Sequence, residues 1–236
     1  FPGLSVGPTY AWEFRDATGS AVVNDWVSGV AATPTNGATS TSEGMVFDGV
    51  DDYVSVGNIE RSGTAQTVEI FMKPHTLTYQ KTFFSFAGGV YRARIGRASS
   101  GSTSSLEVIS NNTASWHGGG EAPDTGSLNN VFIANTFVHL VIVFSTSGTT
   151  MYKDGVEIAS DTHTYVTGTS STNYLGSYTT STDYIHMTLA YVRIWDGTSL
   201  SASDVATLYS NREYRESFNF NVCGKSALTV AQGGAE

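Results

Sequence analysis

Short runs of β-branched and aromatic residues alternate with turns of glycine, serine, threonine and asparagine along almost the whole chain. Because successive side chains of a strand point to opposite faces of a sheet, such runs are typical of antiparallel strands. They predict strands at residues 44–49, 52–56, 67–73, 82–86, 90–97, 106–110, 137–145, 149–153, 156–160, 173–176 and 186–195. The pattern as a whole favours an all-β domain.

Two of these segments carry a stronger local signal. The pair Asp154-Gly155 separates two short runs and predicts a tight hairpin, because glycine adopts a positive φ at no steric cost. Residues 138–144 are apolar apart from His139. Such a run is expected of a strand that is covered on both faces of its sheet.

One helix is predicted, over residues 201–210. Ser201 is placed to cap its N-terminus, and Asp204 lies near the positive end of the helix dipole. The apolar positions that we expect to pack on the strands are Val205, Leu208 and Tyr209.

Composition and charge exclude several classes of protein. The chain has 236 residues, 40% of them hydrophobic, which is enough to bury one core. No apolar run approaches the roughly 18 residues of a membrane-spanning helix. The net charge of −9 repels phosphate backbones, so we expect no nucleic-acid partner. The single cysteine, Cys223, excludes an internal disulfide and a cysteine-built zinc site.

Seven motifs in chain order carry a family resemblance: WEF at 12–14, FDGVDDYV at 47–54, TVEIFMKP at 67–74, FVHL at 137–140, YKDG at 152–155, YLG at 174–176 and AYVRIW at 190–195. Together they resemble the laminin-G-like jelly roll of the concanavalin A-like lectin/glucanase superfamily, which includes the pentraxins. The resemblance implies a two-sheet antiparallel jelly-roll sandwich with one short C-terminal helix. We therefore expect one jelly-roll domain at residues 1–211 and a C-terminal tail, a linker or an assembly strand, at 212–236.

The resemblance implies extracellular recognition as the commonest activity of such domains, and three function classes stay open. The first is a non-catalytic carbohydrate-binding or adhesion domain, whose partner is a polysaccharide or the glycan of a glycoprotein. The second is a structural or assembly domain of a larger surface protein or fibre, because the tail alternates like a strand at Phe218, Phe220 and Val222. The third is a polysaccharide lyase on the concave sheet. Scarce lysine and abundant hydroxyl residues are typical of secreted proteins, so we expect an extracellular location.

The chain lacks the sequence pattern of a glycoside hydrolase. Such enzymes need two carboxylates facing each other across the sugar, but Glu69 and Glu107 each stand alone in their strands. We expect Glu69 at a partly exposed sheet position. A lyase would use Arg92 and Arg94, which share one face of a strand, together with His186 and a tyrosine. The simpler interpretation is a solvated sheet face.

Acidic turns indicate a structural calcium ion as the one cofactor to consider. Hard cations require several oxygen ligands, and four aspartates lie in turns with nearby carbonyls: Asp25, Asp48, Asp51 and Asp52. The alternative is that these carboxylates only shape turns through Asx hydrogen bonds. The calcium-mediated ligand site of pentraxins is predicted to be lost, since no carboxylate follows Leu175-Gly176 before Asp183.

Exposed aromatic residues beside glycines predict a glycan site. Sugars stack their apolar C–H faces on aromatic rings, while charged side chains bind the hydroxyl groups. The residues predicted to form this site are Trp116, His117 and Glu121 in a glycine-rich loop, Tyr178, Tyr184 and His186 around a later turn, and Arg92 and Arg94.

Overall fold

The computed structural model describes residues 3–15, 17, 19–96, 104–109, 128, 130–162, 168–170 and 172–213. The first strands are β1 (Tyr10–Glu13), β2 (Val23–Asn24), β3 (Ala31–Thr35), β4 (Thr39–Thr41), β5 (Gly44–Asp48), β6 (Tyr53–Val56), β7 (Ile59–Arg61), β8 (Ala65–Pro74) and β9 (Lys81–Phe86). The later strands are β10 (Tyr91–Ile95), β11 (Leu106–Ile109), β12 (Val138–Ser145), β13 (Gly148–Lys153), β14 (Val156–Asp161), β15 (Gly168–Ser170), β16 (Asn173–Leu175) and β17 (His186–Asp196). The helix α1 (Ala202–Ser210) follows β17.

Two antiparallel sheets make the sandwich, as the sequence predicts. Sheet A has the order β14-β13-β12-β8-β17-β5-β4, and β1 also pairs with β17. Sheet B has the order β11-β10-β9-β16-β6-β3-β2, and β7 and β15 form a separate small ribbon. Neighbours in the sheets are mostly distant in sequence, as in a jelly roll. The core lies between the inward faces of the two sheets.

The two sheets differ in what covers their outer faces. In sheet B, β10 alternates regularly between core residues and half-buried ones. In sheet A, β12 is buried at every position but the last, and β8 is buried at all but one position. The central strands β8 and β12 of sheet A are therefore covered on both sides, whereas β10 and β6 of sheet B have half-buried residues at every second position. The prediction that residues 138–144 are buried on both sides is confirmed.

Helix α1 covers part of the outer face of sheet A. Ser201 and Asp204 form the predicted capping box: the Asp204 carboxylate accepts from the Ser201 amide at 2.9 Å, and the Asp204 amide donates to Ser201 Oγ at 3.2 Å. Val205 and Leu208 are buried on the sheet, in a cluster that includes Trp195. No helix in the described part of the chain has the length and apolarity needed to cross a membrane.

The eleven predicted strands all form, with ends within two residues of the predicted ends. The hairpin at Asp154-Gly155 also forms, with positive φ at both residues and Lys153 opposite Val156. The sequence pattern misses β1, β2, β3, β4, β7 and β15. These strands are only two to five residues long, and β3 contains Pro34, whose missing N–H disfavours a strand. Residues 214–236 lie outside the described residues, so the predicted tail stays a prediction.

Candidate functional site

The outer face of sheet B carries a row of polar and aromatic side chains. The cross-strand register aligns outward positions of four adjacent strands, from β10 to β6: Arg92, Ser85, Tyr174 and Ser55. Within each of these strands, the apolar residues next to the row point to the opposite side and into the core, as in any strand with one buried face. The row therefore lies outside the core between the sheets; Arg92, Tyr174 and Ser55 are half-buried in it, and Ser85 is fully buried.

Arg92 is a half-buried cation in this row, and none of the described carboxylates forms an ion pair with it. Its Nη1 donates to the carbonyl oxygen of Gly89 at 2.8 Å, and its guanidinium carbon lies 4.6 Å from the centroid of the Tyr178 ring. Among the described residues, no hydrogen-bond partner reaches its buried Nε. Burial lowers the pKa of Arg92 from its ordinary value, but a guanidinium stays protonated in proteins. No carboxylate of the described residues neutralises this positive charge in an ion pair.

Arg94, on the same face, is neutralised. Its Nε donates to the carboxylate of Glu107 in a short hydrogen bond, and its Nη1 lies 4.0 Å from Asp183 Oδ2. Burial raises the pKa of Asp183, although the positive charge of Arg94 acts in the opposite direction. The two arginines predicted to share a face do so, with different partners.

Glycine at position 89 lets the Tyr178 ring approach the backbone beside Arg92. Gly89 has φ +90°, and a Cβ atom built there would lie 2.3 Å from Tyr178 Cε2. Any other residue would displace the ring and would also be strained at this φ. The preceding Gly88, with φ +65°, has open space at the same position.

Three further tyrosines extend the aromatic surface away from Arg92. The rings of Tyr53 and Tyr174 meet edge to face with their centroids 5.6 Å apart. The Tyr184 hydroxyl donates to the Thr180 carbonyl at 2.5 Å. The pKa of Tyr184 is raised by desolvation first and then by the charges of Asp51 and Tyr53. Tyr178 and Tyr184, both predicted for the site, are thus joined by Tyr53 and Tyr174, which the sequence analysis did not select.

Unpartnered hydroxyl groups lie under this face. Ser85 is opposite Arg92 in the register and Thr82 is opposite Arg94. Both are fully buried, and the side-chain oxygen of each has no hydrogen-bond partner in the described structure. Most buried polar atoms in proteins do bond to protein or to water. The neighbourhood of Arg92 therefore has unused hydrogen-bonding capacity.

The predicted calcium ligands do not all come together. One carboxylate oxygen from each of Asp48, Asp51 and Asp52 lies within 4.8 Å of the others. Two of these groups also shape the turn: Asp52 Oδ2 accepts from the Asp48 amide at 2.9 Å, and Asp48 Oδ1 accepts from the Val50 amide at 2.7 Å. Burial, with the charges of Asp48 and Asp51, raises the pKa of Asp52. The oxygen ligands suit a hard cation, so calcium at these three residues stays a prediction.

Asp25 has a different role from the one predicted. It is buried, and its Oδ1 accepts from the amides of Ala11 and Val27 at 2.6 and 2.9 Å. Its Oδ2 accepts from the Ser28 amide at 2.8 Å and from the Ser28 hydroxyl. The carboxylate thus ties β1 to the following turn and is not a member of the aspartate cluster.

The residues of the lyase alternative do not share one site. His186 begins β17 and pairs with Asp48 on the outer face of sheet A, whereas Arg92 and Arg94 lie on the outer face of sheet B. The His186 ring lies 4.7 Å from the His75 ring, and burial followed by the charge of His75 lowers the pKa of His186. The structure therefore separates His186 from the arginines and from Tyr178.

The predicted loop residues Trp116, His117 and Glu121 lie outside the described residues. Ile109, the last residue of β11, is paired with Arg92. Strand β11 therefore ends beside Arg92.

The expectation for Glu69 is wrong, because it is fully buried in an ionic cluster on the outer face of sheet A. Its carboxylate accepts from Arg193 Nη1 at 3.2 and 3.3 Å and from the Tyr191 hydroxyl at 3.1 Å, and it lies 2.9 Å from His139 Nε2. Burial alone would raise the pKa of Glu69, but the charge of Arg193 and the bond to His139 lower it overall. The sequence does contain a signal for this cluster: Glu69, His139 and Arg193 each interrupt a largely apolar predicted strand. Because a buried charged group requires a partner, three such residues could have been expected to contact one another.

Several solved structures share this fold. Domain 4 of AbnA, an extracellular arabinanase from Geobacillus stearothermophilus in complex with arabinotriose, has a TM-score of 0.65 at 21% identity, over 86% of this chain and 98% of that domain. Trypanosoma rangeli sialidase in complex with 2,3-difluorosialic acid has a TM-score of 0.61 at 17% identity, over 86% of this chain. The aligned region covers only 32% of the sialidase. The receptor binding domain of botulinum neurotoxin C/D mosaic serotype has a TM-score of 0.62 at 10% identity, over 87% of this chain and 51% of that one.

The sequence itself assigns the family. No curated protein sequence matches the chain, and the structural neighbours show the fold alone at these identities. The profile of the concanavalin A-like lectin/glucanases superfamily matches residues 48–206, a span that begins in the FDGVDDYV motif and ends in α1. The chain therefore belongs to the concanavalin A-like lectin/glucanases superfamily.

Proposed function

We propose that this chain is a non-catalytic carbohydrate-binding domain whose ligand lies on the outer face of sheet B. The observation that carries the proposal is Arg92, which has no ion pair with a described carboxylate and lies over the Tyr178 ring in a row with Tyr174. Sugars combine apolar faces, which stack on aromatic rings, with hydroxyl groups that accept hydrogen bonds from charged side chains. The superfamily and the likeness to an arabinanase domain solved with arabinotriose also support this function.

The described carboxylates of the face support binding rather than hydrolysis. Hydrolysis needs two carboxyl groups free to act on either side of the glycosidic bond, about 5–9.5 Å apart. Glu107 is buried and bonded to Arg94, and Asp183 lies beside the same guanidinium. Glu69 is on the opposite side of the sandwich, in the cluster with Arg193. These pairings favour positioning of the arginine over proton transfer.

The partner that we propose is a polysaccharide or the glycan of a glycoprotein, met outside the cell. The extracellular arabinanase whose domain 4 has this fold supports that location, as do the scarcity of lysine and the abundance of hydroxyl residues in the chain.

A glycan and polysaccharide binding screen tests the proposal, run in calcium and again in EDTA. Tyr178→Ala should weaken the Kd about 10-fold, the equivalent of ~1.4 kcal/mol of lost stacking. Tyr209→Ala is the matched control, because Tyr209 also carries a stacked arginine, Arg212 at 4.3 Å, but lies on α1. Equal losses in the two variants, or a blank screen with folded protein, would refute the assigned face. Trp116→Ala tests the loop that the sequence predicts for the same ligand.

A further inference from the structure

We propose that the ligand of this face is an acidic carbohydrate and that Arg92 pairs with its carboxylate group. The inference rests on the proposed function, that a carbohydrate binds on the outer face of sheet B. It adds the chemical class of the ligand and the residue that selects it.

Pairing separates Arg92 from the other described arginines except Arg212, which also contacts a tyrosine ring and a carbonyl oxygen but lies at the end of α1, away from the aromatic row. Arg15, Arg94 and Arg193 are each bonded to a carboxylate of this chain. Arg61, which has no ion pair with a described residue, is buried over the Tyr91 ring and is 7% exposed. Arg92 is half-buried on the outer face of sheet B, and its partners are a neutral carbonyl oxygen and an aromatic ring. A carboxylate from outside the chain would complete this pairing.

The described carboxylates near Arg92 are already paired with another cation, although the chain as a whole is acidic. The charged groups that act on Arg92 are Arg94, Glu107 and Asp183. Both carboxylates lie against Arg94, so Arg92 keeps its charge for an anion from outside. The chain carries a net charge of −9, so most of its surface repels an anionic polymer. The carboxylate of the ligand would therefore be attracted only at Arg92, and this contact would fix the position of the ligand on the face.

The geometry of Arg92 suits a carboxylate on a sugar ring. A guanidinium is a planar fork that binds a carboxylate through two parallel hydrogen bonds. Stacking on Tyr178 sets the plane of this fork, and the bond from Nη1 to Gly89 fixes its rotation. The ring of the sugar would then lie towards Tyr174, the next aromatic residue in the row. A carboxylate and an apolar sugar face are thus recognised side by side.

Acidic polymers and their uncharged derivatives provide the test. Polygalacturonate, alginate and hyaluronate are each compared with their methyl-esterified forms by calorimetry, using wild-type protein, Arg92→Gln, Arg92→Lys and Arg212→Gln. Arg212 is the matched control: it also stacks on a tyrosine and donates to a carbonyl three residues earlier, but at the end of α1. We expect at least one acid form to bind about 10- to 100-fold more tightly than its ester, as for a charge-assisted bond. Arg92→Gln should remove that preference, Arg92→Lys should keep part of it, and Arg212→Gln should not change it.

The outcomes separate the two proposals. Esters that bind as tightly as the acids, or an acid preference that survives in Arg92→Gln, would overturn the acidic ligand and leave the carbohydrate-binding face in place. Neutral and acidic glycans that all fail to bind the folded wild-type protein would overturn the proposed function as well. Rising salt should weaken binding of the acid form only, because exposed charges are screened. An unchanged melting temperature of Arg92→Gln shows that any loss is not unfolding.

Discussion

Replacing Arg193 with methionine removes the only guanidinium bonded to Glu69 among the described residues and leaves that carboxylate fully buried. Removing one partner of a buried ion pair costs about 3–5 kcal/mol, because the remaining charge keeps its desolvation penalty without its attraction. For a domain of this size, such a loss lowers the melting temperature by about 6–20 °C. Met preserves most of the side-chain volume, so the loss reports the charge rather than a cavity.

Arg61→Met is the matched control for this experiment. Arg61 and Arg193 are similarly buried, with 7% and 5% exposure, but no ion pair joins Arg61 to a carboxylate in the described structure. Its Nε and Nη1 atoms have no hydrogen-bond partners there. Replacing such a charge with an apolar side chain is expected to leave the free energy of unfolding unchanged or to raise it. Arg193→Met should thus lower the free energy of unfolding, whereas Arg61→Met should not.

The pH dependence gives a second measurement of the same cluster. In the wild type the folded-state pKa of Glu69 is lowered, so its contribution to stability is present above the unfolded pKa of about 4.3 and is lost as the pH falls through the folded pKa. In Arg193→Met, burial without the charge of Arg193 would instead favour the protonated, neutral form of Glu69. That variant should therefore gain stability as the pH falls from 7 towards 5, where the wild type gains none from Glu69.

Thermal and urea unfolding followed by circular dichroism at pH 5 and pH 7 provide the comparison. The double variant Glu69→Gln/Arg193→Met should be more stable than Arg193→Met, because no carboxylate is left without a cation. A melting temperature of Arg193→Met equal to that of Arg61→Met at pH 7, with no gain at pH 5, would refute the proposed role of the ion pair.

Three further predictions follow from the turns and the helix end. Gly89→Ala should displace the Tyr178 ring and weaken glycan binding at least about 10-fold, a loss of ~1.4 kcal/mol. Gly88→Ala is its control: a Cβ atom at Gly88 would have no other atom within 4 Å, so this variant should bind the glycan as the wild type does. Ser201→Ala should lower the free energy of unfolding by about 1 kcal/mol through loss of the cap of α1, measured by urea titration; no change would contradict the capping role. Calcium should raise the melting temperature if it binds the aspartate cluster, and Asp51→Asn should abolish that rise; equal melting curves in calcium and EDTA would exclude the ion.

The local patterns of the sequence predict most of the strands because they depend on neighbouring residues. Alternation along β10 reflects one buried face, and the Asp154-Gly155 pair needs only its own backbone angles to form the hairpin. The capping box of α1 is equally local, since Ser201 and Asp204 bond to each other. Fold class follows from such signals when they occur in the right order.

The environment of Glu69 could not be predicted in this way. Whether the outer face of a sheet meets water depends on elements that pack on it from elsewhere in the chain. Glu69 is opposite Arg193 in the register, yet these residues are far apart in sequence. The same limit explains Asp25, which resembles the other turn aspartates in sequence but bonds to Ala11 in β1. Tyr53 and Tyr174 were missed for the same reason: they join the candidate site only because β6 and β16 are neighbours in sheet B.

Because the outer sides of β8 and β12 are buried while those of β6 and β10 are half-buried, the two faces of this domain should differ in how well they tolerate substitution. Outward positions of sheet B, such as Ser55, Arg92 and Tyr174, contribute nothing to the core between the sheets, whereas outward positions of β8 and β12 are enclosed. Substitutions can therefore accumulate on one side of the molecule while the other stays fixed. A library randomised at Ser55, Arg92 and Tyr174 should yield folded proteins with new ligand preferences, whereas the same diversity on the outer side of β8 should yield mostly unfolded chains.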